Sequence, residues 1–118
     1  MAAKDEVGRY GEELAARYVR EQGWEICARN WRGEGGELDL IAIDGDEAVA
    51  VEVKTRRSSV YGPPEEAVTA LKLQRIRRLF AQWLHAQERR FPGVRVDVIA
   101  VTLPRAGAAQ LEHLRGVQ

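Results

Sequence analysis

Two runs of alternating side chains, ELDLIAI at 37–43 and AVAVEVKT at 48–55, flank Asp44-Gly45-Asp46. Alternation with period two is the signature of a strand, and Asp-Gly between two such runs signals a hairpin. Successive side chains of a strand point to opposite faces. Glu37, Asp39, Ile41 and Ile43 are therefore expected on one face, and Leu38, Leu40 and Ala42 on the other. In the second strand, Glu52 and Lys54 share a face, and Val49, Val51 and Val53 share the opposite one. A two-residue turn at Gly45-Asp46 pairs Asp44 with Glu47, which sets Asp39 opposite Glu52 and Glu37 opposite Lys54. A turn at Asp44-Gly45 shifts the register and brings Glu37 to face Glu52. Both registers gather the acids on one face; a three-residue loop would part Asp39 from Glu52.

Like charges directly opposite in a sheet repel, by a few tenths of a kcal/mol or more. Apolar surroundings raise that cost. A divalent cation removes it, and two carboxylates, a main-chain carbonyl and waters make an ordinary Mg²⁺ shell. Asp39 and Glu52 are the first candidate ligands, and Glu37, on the same face, is a further one. Lys54 beside Glu52 could orient a water or stabilise charge developing on a phosphate. Metal, metal-bound water and a nearby cation are the requirements of phosphodiester hydrolysis. The plain alternative is a solvated hairpin face with Lys54 bridging to an acid.

The rest of the chain supplies the frame. From near Lys4, Val7, Tyr10, Gly11, Leu14, Ala15, Tyr18 and Val19 follow helical periodicity, and Gly23 stops it. Residues 24–30 read as a short strand, and Gly33, Gly35 and Gly36 as a flexible loop. A polar loop at 56–64 leads into a long helix over about 65–88, with Leu73, Ile76, Leu79, Phe80, Trp83 and Leu84 as its apolar stripe. Residues 94–103 alternate as a strand. Past Pro104 the tail is poorly determined, with one short strand near 110–114. The order is αβββαβ, an α/β core with a mixed sheet flanked by helices, in a single domain of 118 residues.

The formal charge is zero, but it is unevenly spread. Residues 1–53 carry 6 basic and 13 acidic side chains, and residues 54–95 carry 10 and 3. A neutral total therefore does not exclude a polyanionic partner. No run approaches the roughly 18 apolar residues of a membrane span. The N-terminus lacks an apolar signal region. The single Cys27 excludes an intrachain disulfide framework and is expected to be a buried small hydrophobe. A cytoplasmic protein with no membrane partner is expected.

At this point the chain resembles a known pattern. Asp39, a gap of twelve residues, then Glu52-Val-Lys54 is similar to the PD-(D/E)xK signature of restriction-endonuclease-like nucleases, with Leu38 in place of the proline. GEELAARYV, ARNWR, GELDLIAID, VAVEVKTR and RVDVIAV, in that order, resemble the YraN-like family of small bacterial proteins, itself similar to archaeal Holliday-junction resolvases. The resemblance spans roughly 8–103. It implies a nuclease fold in which Asp39 and Glu52 hold Mg²⁺ or Mn²⁺, Lys54 is the catalytic lysine and Glu12 the extra glutamate. It further implies a metal-dependent endonuclease acting on DNA, branched or junction DNA included. Junction cutting would require two active sites and hence a homodimer. The competing reading is a nucleic-acid-binding or protein-docking module that keeps the fold without turnover.

Glu12 lies at the edge of the first helix's apolar stripe, where either a third carboxylate at the site or a solvated glutamate fits. Glu13 points away and reads as solvated. Lys72, Arg75 and Arg78 form a stripe on the second helix; Arg56 and Arg57 follow the Glu52 strand, and Arg29 and Arg32 precede the glycines. Around an acidic metal site these suit a phosphate backbone. Tyr61 reads as a loop anchor, and Trp24, Trp31 and Trp83 as packed in or near the core. His85 and His113 have no partner at ligand spacing and are expected to be structural or solvated. Asp97 is expected to form a structural pair with Arg95.

Overall fold

Gly45 closes the hairpin around which the sheet is organised. Its φ is 66°, while Asp46 has no positive φ, as a type II′ turn demands. Asp44 pairs with Glu47 and Leu40 with Val51, which is the first of the two expected registers. The computed structural model describes residues 3–57, 62–63, 66 and 68–118. The elements are α1 (Ala3–Glu21), β1 (Glu25–Gly33), β2 (Gly36–Asp44), β3 (Glu47–Arg56), α2 (Ala70–His85), β4 (Gly93–Thr102) and β5 (Gln110–Leu114). The five strands lie in sequence order. All pairings are antiparallel except β3 with β4. That parallel pair needs a crossover, and α2 supplies it. The result is the expected α/β core with a mixed sheet, and β5 lies where the short tail strand is expected.

Each helix covers one face. Ala15, Val19 and Trp24 pack on Leu40, Ala42, Val49, Val51, Ile99 and Val101. On the other side, Leu73, Ile76, Leu79, Phe80 and Trp83 pack on Leu38, Ile41, Ile43, Ala48 and Ala50. Ile41 and Leu79 are fully buried, and truncating either to alanine should cost about 2–5 kcal/mol.

Several boundaries differ from expectation. The glycine-rich stretch is a tight hairpin rather than a flexible loop, because Gly33 pairs with Gly36 and Gly35 takes a φ of 93°. The Gln82 side chain grips this turn, accepting from the Glu34 N–H at 2.8 Å and donating to its carbonyl at 3.2 Å. α2 begins at Ala70 because Thr69 is its N-cap, accepting the Lys72 N–H at 3.1 Å. Cys27 is exposed. It sits where the β1–β2 register shifts between Ile26 and Ala28, a bulge that takes its side chain out of the packed faces.

The alternation of β2 also breaks. Leu38 joins Ile41 and Ile43 on the α2 side, whereas Leu40 and Ala42 lie on the α1 side. Leu38 and Leu40 thus do not share a face. Asp39 stands at the break.

Candidate functional site

At Asp39 the two hairpin strands, β2 and β3, cease to pair. The β2–β3 ladder ends at Leu40 and Val51. The next main-chain donor, Val53 N–H, goes instead to Asp39 Oδ2 at 2.8 Å. A side chain thus replaces a ladder bond and aims the carboxyl into the gap. The register carries Glu52 opposite Asp39, and both carboxyl groups line the same cleft. Burial pushes the Asp39 carboxyl up to about 8, aided by the negative charges of Glu52 and Glu12; the Val53 N–H opposes the shift.

These groups line an open cleft of about 420 Å³ together with Val7, Gly8, Lys54, Arg57 and Lys72. Glu12 reaches it from α1 because that helix crosses β3 at contact distance. A Cβ on Gly11 would lie 1.8 Å from Thr55 Oγ1. Asn30 Nδ2 donates to Glu12 Oε1 at 3.1 Å. The structure thus brings Glu12, Asp39, Glu52 and Lys54 to one cleft. Lys54 is exposed and forms no ion pair among the described residues. Glu13 pairs with Arg29 at 2.8 Å on the surface.

Other candidates fall elsewhere. Glu37 faces Arg32 at 3.3 Å and does not line the cleft, because the ladder ends before it could oppose Lys54. Lys72 does not continue the outward stripe. Its Nζ lies 2.6 Å from Glu52 Oε2, inside the cleft. Arg75 and Arg78 remain exposed along an adjoining groove that Lys72 also borders. Arg56, expected to face phosphate, is instead buried. Its guanidinium donates to the Gly62 carbonyl and to Thr102 Oγ1, so it ties the end of β3 to its surroundings. Arg57 is exposed and lines the cleft. Tyr61 lies outside the described residues.

The donor set suits a hard cation. Two adjacent carboxyl groups, with open space for water, fit Mg²⁺ or Mn²⁺. Among the described residues no three His, Cys, Asp or Glu side chains form a ready cage, so water would complete any shell built on Asp39 and Glu52.

A second polar cluster contains the expected Arg95–Asp97 pair and extends it with partners from beyond β4. Asp97, fully buried, accepts from Arg95 Nε at 3.0 Å, bonds His113 Nε2 at 2.8 Å and takes the Gly116 N–H at 2.9 Å. His113 Nδ1 is 3.0 Å from the Tyr18 hydroxyl. Arg95 also binds Asp44 and Glu47, at the turn end of the hairpin. Only the alternation within β4 hinted at the Arg95–Asp97 pair; His113 arrives from β5, and no local spacing announces it.

The comparisons agree with one another. The model of the uncharacterised protein family UPF0102 matches residues 11–101. A UPF0102 protein of Beutenbergia cavernae is 56% identical over 117 residues, 99% of each chain. One from Arthrobacter sp. is 54% identical over the same share, and one from Rhodococcus opacus is 50% identical over 98% of each chain. In keeping with the YraN-like pattern of its five segments, the chain belongs to the uncharacterised protein family UPF0102.

Proposed function

We propose that this protein is a Mg²⁺- or Mn²⁺-dependent endonuclease that hydrolyses phosphodiester bonds in DNA. The observation that carries this reading is the convergence of Asp39 and Glu52 where β2 and β3 cease to pair, with Asp39 held up to about 8 by burial and by its acidic neighbours. A carboxyl perturbed in this way, in a cleft with other acids, is the mark of a functional-site candidate. Asp39 and Glu52 would hold the ion, with Glu12 nearby. When bound, the ion supplies a Lewis acid and a water acidic enough to attack at neutral pH. Lys54 lies beside the reacting phosphate and offsets the charge that develops there. Arg57 flanks the cleft, and Arg75 and Arg78 track the backbone beyond it.

A second reading, a nucleic-acid-binding module without turnover, draws on the Lys72–Glu52 ion pair, which already neutralises one of the two acids. Cleavage assays separate the two. Single-stranded, duplex, forked and four-way DNA are incubated with Mg²⁺, Mn²⁺ or EDTA, using wild type, Asp39→Asn and Lys54→Ala. Metal-dependent products from wild type alone support the nuclease. Binding without products on any substrate supports the module. Forked and four-way DNA are included because of the resemblance to junction resolvases. Sedimentation of the protein on four-way DNA tests the homodimer that such cutting needs.

A further inference from the structure

We propose that Asn30, an uncharged residue in the middle of β1, is a positioning residue for the cleft: it fixes the Glu12 carboxylate beside Asp39 and Glu52. The inference rests on the metal-site reading above and adds a residue to it.

Three observations meet at Asn30. Its place in the register is the first. Arg29 pairs with Leu40 and Trp31 with Leu38, so Asn30 stands across from Asp39. The second is its backbone. Asn30 has a φ of 50° and is the one non-glycine residue with positive φ among those described. Asparagine tolerates this conformation better than most residues, yet mid-strand it is unusual. Such outliers persist where the surrounding structure demands them, and they concentrate at functional sites. The third is what the conformation achieves. Ala28 and Trp31, three residues apart, both pack on the α2-side core. An unbroken strand would put them on opposite faces. The alternation therefore inverts at Asn30, beside the matching break at Asp39, and the Asn30 amide is left to donate to Glu12 Oε1.

The chemistry of the side chain suits the task. Glu12 already lines the same cleft as Asp39 and Glu52. A lysine or arginine there would hold Glu12 but would compete with a cation for it. An amide orients the carboxylate through one oxygen and adds no charge. Gly11, closed against Thr55, sets the height of the Glu12 backbone, and Asn30 fixes the carboxyl end. Partners that orient a ligand or near-ligand in this way commonly contribute tenfold or more to metal affinity.

Calorimetric titration of Mn²⁺ into wild type, Glu12→Gln, Asn30→Gly and the double variant tests the proposal, with melting in EDTA as the folding control. Glycine accepts the positive φ, so Asn30→Gly should fold. It should bind Mn²⁺ roughly tenfold more weakly. In the Glu12→Gln background the same change should have no further effect, because Asn30 acts through Glu12. Unchanged affinity in Asn30→Gly, or additive losses in the double variant, overturns the proposal while leaving the Asp39–Glu52 site intact. Wild type that takes up no Mn²⁺ overturns the metal reading itself and this inference with it. A second readout needs no change at position 30. The Asn30 side-chain amide resonances should move on adding Mg²⁺ to wild type and stay still in Glu12→Gln; no movement in wild type counts against the contact.

Discussion

The Lys72 ammonium lies 2.6 Å from the Glu52 carboxylate, a contact between the first turn of α2 and the strand that carries the candidate site. The Thr69 cap places Lys72 there. The two acids are thus neutralised differently: Glu52 by a cation, Asp39 by a raised pKa that keeps it protonated at neutral pH. The side chains are 28% and 11% exposed, between the surface and buried cases. Lys72→Ala should lower apo stability by about 1 kcal/mol. It should also enlarge the rise in melting temperature on adding Mn²⁺, because the ion no longer competes with the ammonium. Equal melting curves for wild type and variant, with and without Mn²⁺, would show that the pair contributes nothing.

Loss of Asp97, fully buried among charged partners, should be strongly destabilising. Burial pushes its carboxyl up, but the bonds from His113, the Gly116 N–H and Arg95 outweigh that and hold it below the usual range. A depressed folded pKa gives stability that is present above the unfolded value near 4 and lost as pH falls below it. Asp97→Ala leaves Arg95 and His113 without their shared partner and should cost about 3–5 kcal/mol. Urea denaturation at pH 7 measures that loss, and a wild-type series below pH 4 measures the acid limb. A cost under about 1 kcal/mol would mean that the cluster relaxes into solvent.

Nucleic-acid affinity should depend on Arg75 and Arg78 and not on Arg56. Each phosphate contact releases condensed counterions, so affinity falls steeply with salt. Arg75→Ala with Arg78→Ala should flatten the log–log salt slope by about two contacts. Arg56→Ala should leave the slope unchanged and lower the melting temperature instead, since its guanidinium is buried against Gly62 and Thr102. Fluorescence anisotropy with labelled duplex at several salt concentrations reads the slopes. An unchanged slope in the double variant would remove the α2 arginines from the interface.

The hairpin was legible because its determinants are local. A glycine that can take positive φ signals a two-residue turn, and counting pairs back from Asp44–Glu47, one of the two expected registers, sets Asp39 opposite Glu52. What was not legible is long-range or exceptional. Arg56 and Arg57 are adjacent and identical in type, yet one is buried and the other exposed, according to whether a carbonyl on another segment is within reach. Lys72 fits a surface stripe with Arg75 and Arg78 by spacing alone; the cap at Thr69 turns it inward. Leu38 leaves its expected face where β2 breaks its alternation at Asp39, across from Asn30, and asparagine in a strand does not announce a left-handed backbone. His113 is isolated in sequence and acquires Asp97 only through the β4–β5 pairing.

Asp39 joins stability to function through pH. Its unfolded value is near 4 and its folded value about 8. Between them the folded chain binds a proton that the unfolded chain has lost. Stability from this group therefore falls as pH rises from about 4 to about 8, then levels off. Asp39→Asn should abolish that slope. At pH 9, in EDTA, the variant should be as stable as wild type or more so, by up to roughly 1 kcal/mol, because one of two close like charges is gone. Cation binding must expel the Asp39 proton, so Mn²⁺ affinity in wild type should climb with pH until about 8 and then plateau. Asp39→Asn should lose both that dependence and the metal-induced rise in melting temperature, which reports ligation to the folded state. A solvated Asp39 bridged to a lysine gives the opposite pattern, a small loss of stability in the variant and no response to metal in either protein. Melts of both proteins from pH 5 to 9, each with EDTA and with excess Mn²⁺, distinguish the two.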